Sequence, residues 1–256
     1  MTAFKKKVDG LWQQSPQKSA LKFFAELSNL VRISLFQPGC LCCQNLLIYQ
    51  EERLICHECR KQIKPYNQPV CSKCGKAIRE NGDLCGDCLA DPPPFRKHVS
   101  YARYEGVLKE LILSYKFKGA ERLKKDLANC LVELVRSRIG ENFDWIVPVP
   151  EDRGRKRETK PVFEIGILLS RKINIPLMRH NLIKVKKTAP QVKLSQARRL
   201  RNLDGAFKIR DASKVRKKKV LLVDDVYTTG TTIKKCTRQL KRAGAEVVAI
   251  TLARSV

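Results

Sequence analysis

The feature that most restricts this chain is a run of closely spaced cysteines. Nine of its 11 cysteines fall between Cys40 and Cys88, and eight of those form four pairs with two residues between the partners: Cys40/Cys43, Cys56/Cys59, Cys71/Cys74 and Cys85/Cys88. Two intervening residues let both sulfurs of a knuckle turn face one ion, and two knuckles complete a tetrahedron. The gaps between successive pairs are similar, which predicts a duplicated ribbon over 37–90 carrying two structural zinc ions. Four thiolates leave a metal no open position, so Lewis-acid chemistry is not expected there. Disulfides are the competing account, but they suit oxidising compartments, and a catalytic dithiol would use one pair, not four. Spacing assigns the ligand role to Cys43, with Cys42 as its substitute; His57, inside a knuckle, could replace a thiolate, although a solvated or supporting role is the expectation. It leaves open which pair joins which. So small a ribbon has little apolar core, and metal binding is expected to supply much of its folding free energy. The following DPPPF (91–95) reads as a stiff, extended connector.

Length and composition suit one medium domain beside such a module: 256 residues, 43% hydrophobic,. There is no apolar run near the ~20 residues of a membrane-spanning helix. The first residues, MTAFKKKVDGLWQQSPQKSA, lack a secretory core and cleavage site,. The expectation is a cytoplasmic protein with no membrane span. Residues 1–36 read as a tail followed by an amphipathic helix, because Ala20, Phe24, Leu27, Val31 and Leu35 recur at helical spacing,. That stripe is expected to pack on the protein, not to anchor it in a membrane.

Charge is the outlier: 52 Lys and Arg against 25 Asp and Glu, a formal +27. Two tetrathiolate zinc sites, each about −2, would reduce this to roughly +23. More than half of the excess lies between Glu151 and Val220. Such a balance predicts a polyanionic partner, nucleic acid before anionic membrane.

The sharpest chemical signal is VLLVDDVYTTGTT (220–232). Its apolar start suits a strand buried on both faces. The carboxylates Asp224 and Asp225 follow at the strand's C-terminal end, where open α/β sheets bind ligands. Thr228, Thr229, Gly230, Thr231 and Thr232 then form a turn whose amides and hydroxyls converge on an anion. Ile233, Cys236, Leu240 and Ala243 fall on one helical face, Gly244 fits a helix stop, and 247–252 fits another strand. No GxxxxGK[ST] is present, so this is not a Walker loop. Adjacent acids before a threonine turn suit a sugar phosphate: the carboxylates take two ribose hydroxyls while the turn takes the phosphate.

At these residues the chain resembles the phosphoribosyl pyrophosphate motif of type I phosphoribosyltransferases. The resemblance implies a parallel-sheet α/β domain over 94–256, with Asp224 and Asp225 on the ribose and 228–232 on its 5′-phosphate. With the cysteine knuckles, LSYKFKG (113–119), IVPVP (146–150), Gln191 followed by Arg198, Asn202 and GAF (205–207), the chain resembles the ComF competence-protein family. That family is linked to natural transformation, or use of external DNA, through handling of incoming single strands. The resemblance implies phosphoribosyl pyrophosphate, with magnesium if the chain is active, and single-stranded DNA as partners, alongside proteins of the DNA-uptake machinery. It departs from the family pattern after IVPVP, where EDRGRKRETKPVFEIG places Lys160 and Val162 at the pattern's glycine and asparagine. Arg153, Arg155, Lys156 and Arg157 keep positive charge where pyrophosphate belongs, and Arg198 or Arg199 are candidates to close over the site.

Three functions follow. In a transferase, pyrophosphate would leave the anomeric carbon, stabilised by fixed positive charge and magnesium. In a nucleic-acid partner, Lys184, Lys186, Lys187, Arg216, Lys217, Lys218 and Lys219 would track the backbone. Tyr101, Tyr104, Tyr115 and Phe117 are secondary candidates for base stacking. In a regulator, the fold would act as a sensor; this ranks last, because no helix-turn-helix pattern stands out.

Overall fold

The computed structural model describes residues 39–47, 54–66, 68–78, 83–151, 160–186 and 204–255. The chain forms two compact units, 1–56 and 57–256. In the first, Gly39 bridges Leu46, the Cys40 amide donates to the Asn45 carbonyl at 2.8 Å, and the Gln44 amide donates to the Cys40 carbonyl at 2.9 Å. The same pattern recurs in the second unit. There Val70 bridges Ala77, the Cys71 amide donates to Lys76 at 2.7 Å, and the Gly75 amide donates to Cys71 at 2.8 Å. Both turns need a left-handed residue at the same position, supplied by Gln44 (φ 59°) and Gly75 (φ 70°),. The ribbon is a true duplication.

The second unit continues through α1 (His57–Lys61) and α2 (Gly86–Ala90), each carrying one cysteine of a knuckle. A four-stranded sheet follows, ordered β1-β6-β5-β2: β1 (Lys97–Arg103), β2 (Trp145–Pro148), β5 (Lys219–Tyr227) and β6 (Glu246–Arg254). Every pairing is parallel, with Leu222 opposite Ala249 and Leu221 opposite Ile146. Parallel neighbours require crossovers. Between β1 and β2 run α3 (Gly106–Phe117), a 3₁₀ turn (Glu121–Leu123) and α4 (Lys124–Arg138). After β2 comes α5 (Pro161–Ile173), and α6 (Thr231–Arg242) joins β5 to β6.

The helices follow their apolar spacing. Leu108, Leu111, Ile112 and Tyr115 bury one face of α3,. α5 begins with Pro161 at its first turn, where the missing N–H costs nothing, and ends on left-handed Asn174 (φ 55°),. Ile233, Cys236 and Leu240 bury the inner face of α6, and Gly244 (φ 87°) turns the chain into β6. Outside the main sheet, β3 (Leu182–Lys184) and β4 (Phe207–Ile209) form an antiparallel pair. Among the described residues, no helix is long and apolar enough to cross a membrane.

Val220 to Val223 are fully buried, as expected of a strand covered on both faces,. Two expectations are corrected. β5 does not end before the acids but runs through Tyr227, because β6 keeps pairing with it: Asp224 lies opposite Thr251 and Tyr227 opposite Arg254. DPPPF is not a spacer. Phe95 is completely buried in one core cluster with Cys71, Cys74, Cys85, Cys88, Tyr227 and Val247. The second knuckle pair thus shares the sheet's apolar core, which offsets its own shortage of one. The helix expected within 1–36 lies outside the described residues.

Candidate functional site

The sulfurs fall into two groups, Cys40/Cys43/Cys56/Cys59 and Cys71/Cys74/Cys85/Cys88, and within each all four lie within 4.8 Å of one another. First therefore joins second, and third joins fourth, with Cys43 and not Cys42 in the set. The contacts Cys43 Sγ to Cys56 Sγ, 3.7 Å, and Cys74 Sγ to Cys85 Sγ, 3.6 Å, are far too long for disulfides,. They match the edge of a tetrahedron with Zn–S near 2.3 Å, which is about 3.8 Å. The donor sets fit two structural zinc ions. Burial opposes ionisation of Cys71, but amide hydrogens of Cys74, Cys85 and Lys73 outweigh it and bring the thiol down to about 7, towards the thiolate a metal needs,.

At the opposite end of β5 from its first residue, two acids and a threonine turn meet. Asp224 shares the face of Val220 and Leu222, towards α6, where it acts on the buried Cys236 thiol,. Asp225 turns the other way and forms an ion pair with Lys116 of α3. The two acids are tied through the backbone, since the Asp225 amide donates to Asp224 Oδ1 at 2.9 Å. Burial, then repulsion from Asp225, holds the Asp224 carboxyl well above the usual carboxylate range, with Lys116 opposing,. For Lys116, burial favours the neutral amine, but Asp225, Asp224 and Glu151 together raise its affinity for the proton. The result is an acid–acid–lysine cluster at the carboxyl edge of a parallel sheet.

The turn beyond it is shaped by Gly230, which has φ 70° and caps α6. A Cβ there would lie 2.2 Å from Tyr227 Cζ, so only glycine fits,. Thr229 and Thr231 hydroxyls meet across the turn at 2.8 Å. Thr231 is buried, Thr229 and Thr232 are half-buried, and Thr228 is exposed. The first amides of α6 have no partners within the helix and, with its dipole, favour an anion. A cavity of about 120 Å³ is lined by Pro148, Pro150, Glu151, Phe163, His180 and Lys184, among others. Glu151 also acts electrostatically on Asp224 and Lys116.

Two family models match the chain: one described as a double zinc ribbon domain over residues 32–89, the other as a phosphoribosyl transferase domain over 118–254. Competence protein F of Haemophilus influenzae is 30% identical over 225 residues, covering 85% of this chain and 97% of that one. The chain belongs to the ComF competence-protein family. The Escherichia coli relative, DNA utilization protein YhgH, is 30% identical over 77% of this chain and 88% of its own. Competence protein ComFC of Bacillus subtilis is 25% identical over 82% and 88% respectively.

Within this ComF chain the other predicted residues are scattered. Lys184 is buried in β3, and Lys186 Nζ donates to the Asp204 carbonyl across the hairpin at 2.8 Å. Lys219 opens β5, about 17 Å along the strand from Asp224, and Lys217 and Lys218 directly precede it,. Lys218 is paired there with Asp144 at 2.9 Å. Tyr101 and Tyr115 are buried, with hydroxyls donating to Glu133 at 2.9 Å and Glu164 at 3.3 Å, so they are core residues and not stacking platforms. Arg153, Arg155, Lys156, Arg157, Lys187, Arg198 and Arg199 lie outside the described residues.

Sequence reasoning missed Lys116 as a member of the cluster. A signal was present: it falls four residues after Ile112 and eight after Leu108, on the face that α3 buries, where a lysine needs an acidic partner,.

Proposed function

We propose that this ComF-family protein binds phosphoribosyl pyrophosphate and single-stranded DNA, and acts in the uptake or use of external DNA. One observation carries the reading. Asp224 and Asp225 stand at the carboxyl edge of a parallel sheet, directly before a glycine-shaped threonine turn that opens a helix. The ribose hydroxyls belong to the acids and the 5′-phosphate to Thr228, Thr229, Gly230, Thr231 and Thr232. The relatives named for competence and DNA utilization support the wider role.

Lys116 neutralises Asp225. A ribose competes for the same carboxylate, and the pyrophosphate offers the displaced ammonium a new partner. The deciding experiment is a calorimetric titration with phosphoribosyl pyrophosphate and magnesium, for wild type and Asp225→Ala. Removing a charged hydrogen-bond acceptor should weaken binding about tenfold or more. Equal affinities for the two proteins would overturn the reading.

A transferase activity is the second reading, favoured by the cavity lined by Phe163, His180 and Glu151, which offers ring surfaces to a flat acceptor. It is checked by pyrophosphate release in the presence of individual nucleobases. In that reaction the acceptor nitrogen bonds to the anomeric carbon as the pyrophosphate oxygen leaves.

A further inference from the structure

The phosphate turn and the second cysteine knuckle are joined by an unbroken set of contacts, all within the second unit. The Cys74 carbonyl accepts from Arg254 Nη1 at 2.7 Å and from His98 Nδ1 at 2.8 Å. A carbonyl can only accept, so His98 carries its proton on Nδ1. Its Nε2 faces the Thr251 hydroxyl at 3.1 Å, which lies 2.7 Å from the Ser100 hydroxyl and also reaches the Ala253 carbonyl at 3.1 Å. His98 is fully enclosed, and its backbone amide donates to Lys73 of the same knuckle at 2.9 Å.

Arg254 and His98 both bear on one ring. The Arg254 guanidinium lies 4.5 Å over Tyr227, and the His98 ring centroid is 4.2 Å from that of Tyr227. Phe95 meets the same ring edge-on at 6.5 Å. Tyr227 in turn occupies the space against Gly230 in which a Cβ would stand. Gly230 sets the path of Thr229 and Thr231.

We infer that the second knuckle positions the phosphate turn: Cys74 fixes Arg254 and His98, these fix Tyr227, and Tyr227 supports Gly230. Metal held by Cys71, Cys74, Cys85 and Cys88 therefore tightens the sugar-phosphate site, and metal at the first group does not. Loss of the ion removes the bonds that close the knuckle turn. Its carbonyl then leaves the place where an arginine and a histidine share it, and the ring they clamp gains freedom. Arg254 and Tyr227 are positioning residues, because they act on the ligand through the turn. The consequence for ligand affinity rests on the phosphoribosyl reading above; the consequence for the turn itself does not.

The test uses the full chain and two readouts. Hydrogen exchange of the 228–232 amides, without ligand, reports the turn directly. Titration with phosphoribosyl pyrophosphate and magnesium reports affinity. In Cys85→Ser, exchange of 228–232 should accelerate about tenfold while 220–223 stays protected, and affinity should fall about five- to tenfold, in the range of couplings carried through packed networks. Cys56→Ser, which disables the first group, should leave both readouts at the wild-type level. Arg254→Met keeps every zinc ligand, and should reproduce the loosened turn with zinc content unchanged, so the test stands even if Cys85→Ser does not fold. Unchanged exchange in Arg254→Met, or equal loosening in Cys56→Ser and Cys85→Ser, overturns the inference. Loosening of the turn in a protein whose wild type binds no phosphoribosyl pyrophosphate would instead sink the ligand reading and leave the support intact.

Discussion

Asp224 is kept where a carboxylate is costly. Its neighbours include an enclosed strand, a second acid and Lys116, and its protonation is pushed above the usual range by burial first and Asp225 second. The sign for stability follows. A carboxyl whose folded value exceeds its unfolded value, 3.8, is a destabilising charge above the folded value, and the cost disappears as pH falls below the unfolded one,. Asp224→Asn should therefore raise the unfolding free energy by about 1 kcal/mol at pH 7, with less gain at pH 5, while weakening phosphoribosyl pyrophosphate binding. Urea denaturation at both pH values, with a parallel titration, checks this trade of stability for ligand affinity. Gly230 carries the opposite kind of demand. Alanine there must adopt φ near 70°, at about 1–2 kcal/mol, and displace Tyr227 as well,. Gly230→Ala should lower the urea midpoint and abolish ligand binding, because the tyrosine cannot move without disturbing Arg254 and His98.

The elements differ in how openly the sequence declares them. Four aliphatic residues at 220–223, a one-faced helix after Gly230 and a second apolar run made the β5–α6–β6 unit readable, because each signal is local. The paired cysteines were equally plain, since two-residue spacing is itself the geometry of a knuckle. What stayed hidden depends on partners distant in sequence. The end of β5 is set by β6, which goes on pairing as far as Arg254. The role of Phe95 is set by a core that mixes knuckle sulfurs with sheet residues. Lys116 acquires its partner from a strand more than a hundred residues away. The Phe95 burial carries its own prediction. If the second knuckle pair and the sheet share a core, Phe95→Ala should cost about 3–5 kcal/mol and loosen both together, seen as earlier release of zinc from that pair on the same thermal transition as loss of the sheet signal. A second knuckle pair melting separately, with the sheet transition unmoved, would mean that the two do not support each other.

At the scale of the molecule, the +27 charge must be weighed by what is already spoken for. Lys116, Lys124, Lys218, Lys234 and Lys235 are ion-paired with Asp225, Glu164, Asp144, Asp91 and Asp204, which leaves them less able to release counterions on a polyanion. Arg216, Lys217 and Lys219, by contrast, are exposed at the start of β5. They sit at the other end of the strand from the acids, so a nucleic-acid backbone on them and a sugar phosphate on the turn need not compete. For single strands, each phosphate contact contributes about 0.7 to the slope of log K against log salt. Neutralising Arg216, Lys217 and Lys219 together should therefore reduce that slope by about 2, with phosphoribosyl pyrophosphate affinity unchanged. Lys218→Ala should reduce it less, because its charge is already balanced by Asp144. Binding of a fluorescent homopolymeric DNA strand across a salt series gives the slopes. A triple variant with the wild-type slope would place the polyanion elsewhere, and loss of phosphoribosyl pyrophosphate binding along with the slope would mean that the two ends of the strand are not independent.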